Sequence, residues 1–339
     1  MIKTLFIGTS EYAVPILEKL VSMQNINVVG IVTQPDKRVG RHQELQSPPI
    51  KVKAKNLLPI PMHNIPIFQP KKIKNDTHQI LDKTKPDLIL VVAYGQIIPT
   101  IMLNYPKFKT LNVHFSLLPK LRGAVPVQIA ILQGMKKTGI TIQIMQEKLD
   151  AGDIIAQEEV KIKENDTAKS LSETLSKLGA KLVERILPKW VNNEIITIKQ
   201  DENQATYCFQ RDIAKEKAEI DWRKSVQDID RIIRAFYPWP LAWTITKSTA
   251  GKPDIGIEAN TKFAGKRLLI HKAKIFDKNW QNKKGGKLFK YGNQLLARCD
   301  IGWLEILECQ LEGKLRMKAK DYLFLAKSEI NSARAIITH

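Results

Sequence analysis

Leu111-Asn112-Val113-His114-Phe115-Ser116-Leu117-Leu118-Pro119-Lys120-Leu121-Arg122-Gly123 is an apolar, alternating run that halts at Ser116 and Pro119. It reads as a short buried strand ending in a tight loop. Side chains two apart on a strand face the same way, so Asn112 and His114 project together at its carboxyl end. An amide donor beside an imidazole suits acyl-type transfer: Asn112 stabilises an oxygen that becomes negative, and His114 holds or passes a proton near neutral pH. The orienting group that the pair lacks is available in Leu149-Asp150-Ala151-Gly152-Asp153. A carboxylate at Asp150 bonded to one ring nitrogen would fix the tautomer. No Ser or Cys nucleophile is required if the acceptor is itself an amine. On spacing alone, a loop-capping Asn112, a core His114 and a turn-forming Asp150 fit the same residues equally well.

Working outward, Ile2–Ile7 reads as a strand, Gly8-Thr9-Ser10 as a turn and Glu11–Val21 as a helix. Ile26–Thr33 is a second strand, leading into Gln34-Pro35-Asp36-Lys37-Arg38-Val39-Gly40-Arg41. Lys51–Leu57 and Asp76–Lys83 read as helices. Asp87–Ala93 is a buried strand closed by Tyr94-Gly95-Gln96, Gly123–Gln133 is helical, and Gly139–Met145 and Ile154–Ile162 are strands. This alternation predicts an α/β, Rossmann-like, mostly parallel sheet covered on both faces. Ligands of such sheets bind beyond the carboxyl ends of the strands, where Gly8–Ser10, Gln34–Arg41, Tyr94–Gln96, Asn112–Arg122 and Asp150 all fall. The opening lacks G-x-G-x-x-G, so a dinucleotide site is not supported.

Asp166 is expected to cap a long helix that runs to about Leu187 and stops before Pro188, and Gln200–Tyr207 reads as a polar linker. Ser225 caps a further helix running to Ala235. Beyond Ala242 short β-type runs, Lys266–Lys274, Gly286–Tyr291, Gln294–Cys299 and Gly302–Glu308, predict a small β-barrel. The expected division is residues 1–190, a linker at 191–207 and a second domain at 208–339, consistent with a chain of 339 residues.

The net charge is +20, and Lys247–Lys290 alone carries +9 over 44 residues. A local excess of this kind attracts a polyanion, nucleic acid first among them. A background rich in Lys, Ile and Asn is the alternative source of the charge. No long uncharged apolar run predicts a transmembrane helix, and the strand beginning at Ile2 leaves no room for a signal peptide. Cys208, Cys299 and Cys309 are widely spaced and odd in number. They read as reduced thiols with no metal-site spacing, so the expectation is a cytoplasmic, bacterial protein with no bound metal and no membrane contact.

Asn112-x-His114-x-Ser116-Leu117-Leu118-Pro119, followed by Arg122-Gly123-Ala124-x-Pro126-x-Gln128, Gly139-Ile140-Thr141 and Leu149-Asp150-x-Gly152-Asp153, resembles the formyltransferases that use 10-formyltetrahydrofolate. Ile220-Asp221-Trp222 and Arg234-Ala235-Phe236-x-Pro238-Trp239-Pro240 extend the resemblance into the second half. Within that family it is most similar to the branch acting on methionyl-initiator tRNA. The resemblance implies a formyltransferase catalytic domain and an OB-like C-terminal domain that helps hold tRNA, in a protein that formylates the α-amino group of the esterified methionine for translation initiation; a monomer is expected. It implies catalytic Asn112, His114 and Asp150, and folate contacts from Ser116, Leu117, Leu118 and Pro119 and from Tyr94, Gly95 and Gln96. It also implies tRNA contacts from Arg41 with Arg38 and Lys37. The chain departs from the family pattern at His42-Gln43-Glu44, where lysines are usual, and at Leu121, where a Trp is frequent. The same folate chemistry on an amino-sugar nucleotide or a purine precursor is the alternative, and a non-enzymatic nucleic-acid-binding protein is a third.

Overall fold

The computed structural model describes residues 1–40, 43–57, 65–247, 257–258, 264–281 and 285–325. The strands β1 (Ile2–Gly8), β2 (Ile26–Val32), β3 (Ile67–Phe68), β4 (Leu88–Val92), β5 (Thr110–His114), β6 (Lys137–Ile144) and β7 (Ile154–Lys161) form one sheet in the order β7-β6-β5-β4-β1-β2-β3. Pairing is parallel from β5 through β3 and antiparallel for β5 with β6 and β6 with β7. The sheet is therefore mostly parallel, as the alternation of elements predicts.

Both faces are covered because the inner strands are apolar on both sides. The helices in chain order include α1 (Val14–Ser22), α2 (Pro49–Leu57), α3 (Ile73–Thr84), α4 (Thr100–Asn104), α5 (Pro126–Leu132) and α6 (Ala168–Val191). Leu5, Ile7, Ile89 and Val91 pack with Ile73, Ile80 and Leu81 of α3 and Met102 of α4. The opposite face carries α1 (Val14–Ser22) and α6 (Ala168–Val191). There a Cβ on Gly179 would lie 3.3 Å from both Ile16 and Val113. Leu111 and Val113 thus alternate away from Thr110, Asn112 and His114, and the Thr110 hydroxyl donates to the Met102 carbonyl at 2.7 Å. Period two places both polar side chains of β5 on the α4 side.

Two helix boundaries differ from expectation. The cap of α6 is Thr167, whose Oγ1 accepts from the Ser170 amide at 3.2 Å while Ser170 Oγ accepts from the Thr167 amide at 3.1 Å. Asp166 instead closes the preceding turn by accepting from the Lys163 amide at 2.8 Å. At the other end the helix continues through Pro188 to Val191. A proline near the last turn forfeits only one backbone bond, and the Trp190 indole N–H anchors that turn on the Phe108 carbonyl at 2.8 Å.

The segment expected to be a linker is pinned within the same compact unit, which extends to Cys208. Tyr207–Cys208 pairs in parallel with Arg122–Gly123, and Thr206 Oγ1 accepts from the Leu121 amide at 2.9 Å.

The second unit comprises Phe209 onward together with Val127–Met135 and Lys163–Ser170. It contains α7 (Val226–Ala235), capped by Ser225 as expected. Its strands β8 (Ala242–Lys247), β9 (Ile257–Glu258), β10 (Arg267–Gln281), β11 (Lys287–Tyr291), β12 (Gln294–Arg298) and β13 (Ile301–Leu311) follow the order β10-β8-β9-β11-β12-β13. Pairing of β10 with β13 closes the ring. Phe289, Leu296 and Trp303 fill part of its interior, with the Phe289 and Trp303 rings edge-to-face at 5.1 Å.

The turn after β6 depends on one glycine. A Cβ at Gly152 would stand 1.7 Å from the Ile144 carbonyl oxygen, where no rotamer change relieves the overlap. Gly152→Ala is expected to lower stability by more than about 2 kcal/mol, read as the midpoint of denaturant unfolding. An unchanged midpoint would show that the turn does not pack on Ile144.

Candidate active site

Three elements deliver the cluster. Asn112 and His114 stand at the carboxyl end of β5, Gln143 sits directly across from Asn112 in the β5–β6 register, and Asp150 lies in the turn that follows β6. Asn112 Nδ2 donates to Asp150 Oδ1 at 3.3 Å, Gln143 Nε2 donates to the same oxygen at 2.8 Å, and the Gly123 amide donates to Oδ2 at 2.8 Å. The carboxylate is held by three donors that approach from separate parts of the chain.

His114 is 5% exposed. Its Nε2 lies 2.9 Å from the Leu121 carbonyl, while its Nδ1 lies 3.7 Å from Asp150 Oδ2, beyond hydrogen-bond length. A carbonyl oxygen only accepts, so the neutral ring carries its proton on Nε2 and presents a bare Nδ1 toward the carboxylate. The orienting role expected of Asp150 thus falls to the Leu121 carbonyl, and Asp150 is placed to stabilise a proton arriving on Nδ1. Leu121 adopts φ 59° to aim that carbonyl, and Asp150 adopts φ 47°. Each left-handed residue costs on the order of 1 kcal/mol, a cost concentrated at the cluster itself.

The Ser116–Pro119 loop is folded onto β6. Thr141 Oγ1 donates to the Ser116 carbonyl at 2.7 Å and accepts from the Leu118 amide at 3.1 Å, and Gln157 Nε2 caps the Leu118 carbonyl at 2.8 Å. Ser116 Oγ donates to the Lys120 carbonyl at 2.6 Å. Ser116 and Leu118 are buried, Leu117 lies over Gly139, and Pro119 is half-buried.

Tyr94, Gly95 and Gln96 lie one strand over, beyond β4, whose Val91 pairs with Asn112. With Thr9, Ser10, Gln34, Lys37, Lys71 and Lys72 they line a cavity of about 550 Å³. Its floor is knit by Thr9 Oγ1 and Gln34 Nε2, which donate to the Tyr94 carbonyl at 3.0 and 3.2 Å. Burial pushes the Tyr94 hydroxyl up to about 12, with the charge of Asp76 adding to it. The described residues lining this cavity include Tyr94–Gln96 and not Ser116–Pro119, which follow the next strand of the sheet.

Of the expected tRNA-contacting segment, Lys37–Val39 is a short strand paired antiparallel with Glu44–Gln46. Arg38 folds back to donate to the Gln43 carbonyl at 3.2 Å, and Lys37 reaches the cavity. Arg41 lies outside the described residues, as does much of the basic stretch from Lys247 to Lys290. Among the described residues no cluster of three or more His, Cys, Asp or Glu could hold a metal ion, and no helix is long and apolar enough to cross a membrane.

Sequence reasoning missed Gln143 although a signal existed. Thr141 and Gln143 interrupt the apolar run Ile140, Ile142, Ile144 at the period-two positions that share the Asn112 side. Gln200 and the Leu121 carbonyl carried no such mark.

A family model described as formyl transferase matches residues 2–187, and one described as formyl transferase, C-terminal domain, matches residues 212–325. The chain belongs to the formyl transferase family. It is 39% identical over 331 residues to the methionyl-tRNA formyltransferase of Bacillus cytotoxicus, covering 97% of this chain and 98% of that one. It is 48% identical over 246 residues to that of Geobacillus sp. (strain WCH70), covering 72% and 74%. Among solved structures the fold is similar to an N-formyltransferase from Helicobacter canadensis in complex with folinic acid and dTDP-3-aminofucose, with TM-score 0.62, 20% identity and coverage of 90% and 99%. It is also similar to HypX from Aquifex aeolicus in complex with tetrahydrofolic acid, with TM-score 0.61, 16% identity and coverage of 98% and 48%.

The geometry of His114 predicts one tautomer. Nitrogen-15 NMR of the neutral ring is expected to show Nε2 protonated and Nδ1 bare. The opposite pattern would mean that the Leu121 carbonyl does not orient the ring.

Proposed function

We propose that the protein transfers the formyl group of 10-formyltetrahydrofolate to the α-amino group of methionine esterified to initiator tRNA. The observation that carries the chemistry is the meeting of the Asn112 amide, the bare Nδ1 of His114 and the Asp150 carboxylate at one strand end. The acceptor is supported by relatives named methionyl-tRNA formyltransferase that align with nearly the whole chain. The folate donor is supported by the folinic and tetrahydrofolic acid in structures of similar fold.

In this reading the neutral amine attacks the formyl carbon. One Asn112 N–H is committed to Asp150, and the other is directed to the developing oxyanion. His114 Nδ1 takes the proton that the amine releases, and the nearby Asp150 charge stabilises the resulting imidazolium. The same proton passes to the folate nitrogen as its bond to the formyl carbon breaks. Every proton is accounted for within the cluster.

Ser116–Pro119 and Tyr94–Gln96 are the proposed donor contacts, and Lys37, Arg38 and Arg41 the proposed tRNA contacts. Residues 1–190, with the segment 191–207 packed in the same compact unit, are proposed as the catalytic domain and 208–339 as the domain that helps hold tRNA. The proposed setting is the bacterial cytoplasm and the proposed working form a monomer.

Purified protein with labelled donor is expected to formylate charged initiator tRNA, and turnover should fall as salt rises because phosphate contacts release counterions. Asn112→Ala should cost roughly a hundredfold or more in kcat. Transfer to an amino-sugar nucleotide, with none to charged tRNA, would replace the acceptor. Near-normal turnover in folded Asn112→Ala would end the mechanism.

A further inference from the structure

Arg122 is wholly buried, and its guanidinium, which has five donors and no acceptor, is surrounded. Nη1 donates to Glu202 Oε2 at 3.1 Å and to the Tyr207 hydroxyl at 3.2 Å, and Nη2 donates to Glu202 Oε1 at 2.9 Å. The Arg122 and Lys148 cations hold the Glu202 carboxyl down at about 2. Nε and Nη2 also reach Gln200 Oε1, at 3.1 and 2.9 Å.

This last contact fixes the Gln200 amide in one orientation, because a guanidinium tolerates only the oxygen. Gln200 Nε2 is thereby turned to the Asp150 carbonyl at 2.8 Å, the Gly152 carbonyl at 2.7 Å and Gln143 Oε1 at 3.3 Å. Both carbonyls are pure acceptors, so the orientation demanded from each end agrees. An oxygen on Gln143 facing Gln200 leaves its Nε2 facing Asp150 Oδ1, the 2.8 Å bond already described. The short bonds from Gln200 go to main chain and the long one to Gln143. Gln200 therefore holds the left-handed backbone of Asp150, and Gln143 holds its carboxylate.

We infer that Gln200 and Gln143 are positioning residues that place Asp150 for the transfer, set in direction by the buried Arg122. The inference rests on the proposed function for its catalytic consequence, and its geometric part stands apart from that reading.

The test uses the full chain with Gln200→Glu, Gln143→Met and the double variant. Gln200→Glu leaves Arg122 an oxygen partner while removing the donor that faces Asp150 and Gly152, and circular dichroism establishes that each variant is folded before it is compared. Gln143→Met keeps the shape and removes the donor to the carboxylate. Hydrogen exchange of the Gly123 amide, whose acceptor is Asp150 Oδ2, reads Asp150 placement without any substrate. Exchange at least tenfold faster in both single variants is expected. In parallel, kcat should fall roughly ten- to a hundredfold, as is typical of outer partners of an active-site group, with KM for both substrates within about threefold. The double variant should be no worse than the poorer single one, since both act through one residue.

Unchanged Gly123 exchange in both folded variants, or losses in kcat that multiply in the double variant, would overturn the inference. A parent protein that leaves charged tRNA unformylated, while Gly123 exchange still responds, would sink the proposed function and leave the positioning role standing.

Discussion

The Asp150 carboxylate is the point on which the site depends. It accepts from a strand amide, a cross-strand amide and a loop backbone N–H, and those donors belong to segments that share no local sequence. A carboxylate so held stands fixed before any substrate arrives, which is what electrostatic catalysis requires. Placing it costs backbone strain at Asp150 and Leu121, and the sheet with its covering helices supplies the rigidity that tolerates such strain.

The histidine is anchored from the other side. Because Nε2 is spent on the Leu121 carbonyl, the nitrogen left open is Nδ1, and the carboxylate meets it at 3.7 Å instead of gripping it. Such spacing leaves the ring free to accept a proton and to release it again. Asn112 points from the same strand face two residues earlier and donates to the same carboxylate, which leaves its second N–H for the oxygen in the proposed mechanism. The division of labour follows from strand periodicity and from the one-sided hydrogen-bonding chemistry of a carbonyl.

The region after the sheet is more than a tether. Gln200, Glu202, Thr206 and Tyr207 wrap the Arg122 loop and reach the Asp150 turn, so a polar stretch that reads as linker forms the wall behind the site. Its polarity is what made it look solvated. The same polarity is needed to satisfy a fully buried guanidinium, and a linear reading cannot tell the two apart.

Period-two and helical patterning were enough to reveal the strand–helix alternation, the position of Asn112 and His114 at a strand end, and the small β-barrel, because these depend on neighbours within a few residues. The cap at Ser225 was visible for the same reason, whereas Asp166 was misread because Thr167 and Ser170 bond each other reciprocally. Tertiary structure alone decided that Leu121, not Asp150, orients His114, that Gln143 and Gln200 converge on Asp150, and that Gly152 must be a glycine. Each of these turns on a contact between atoms distant in the chain, or on a backbone angle imposed by packing. Those quantities are properties of the folded arrangement and leave no periodic trace in the order of residues.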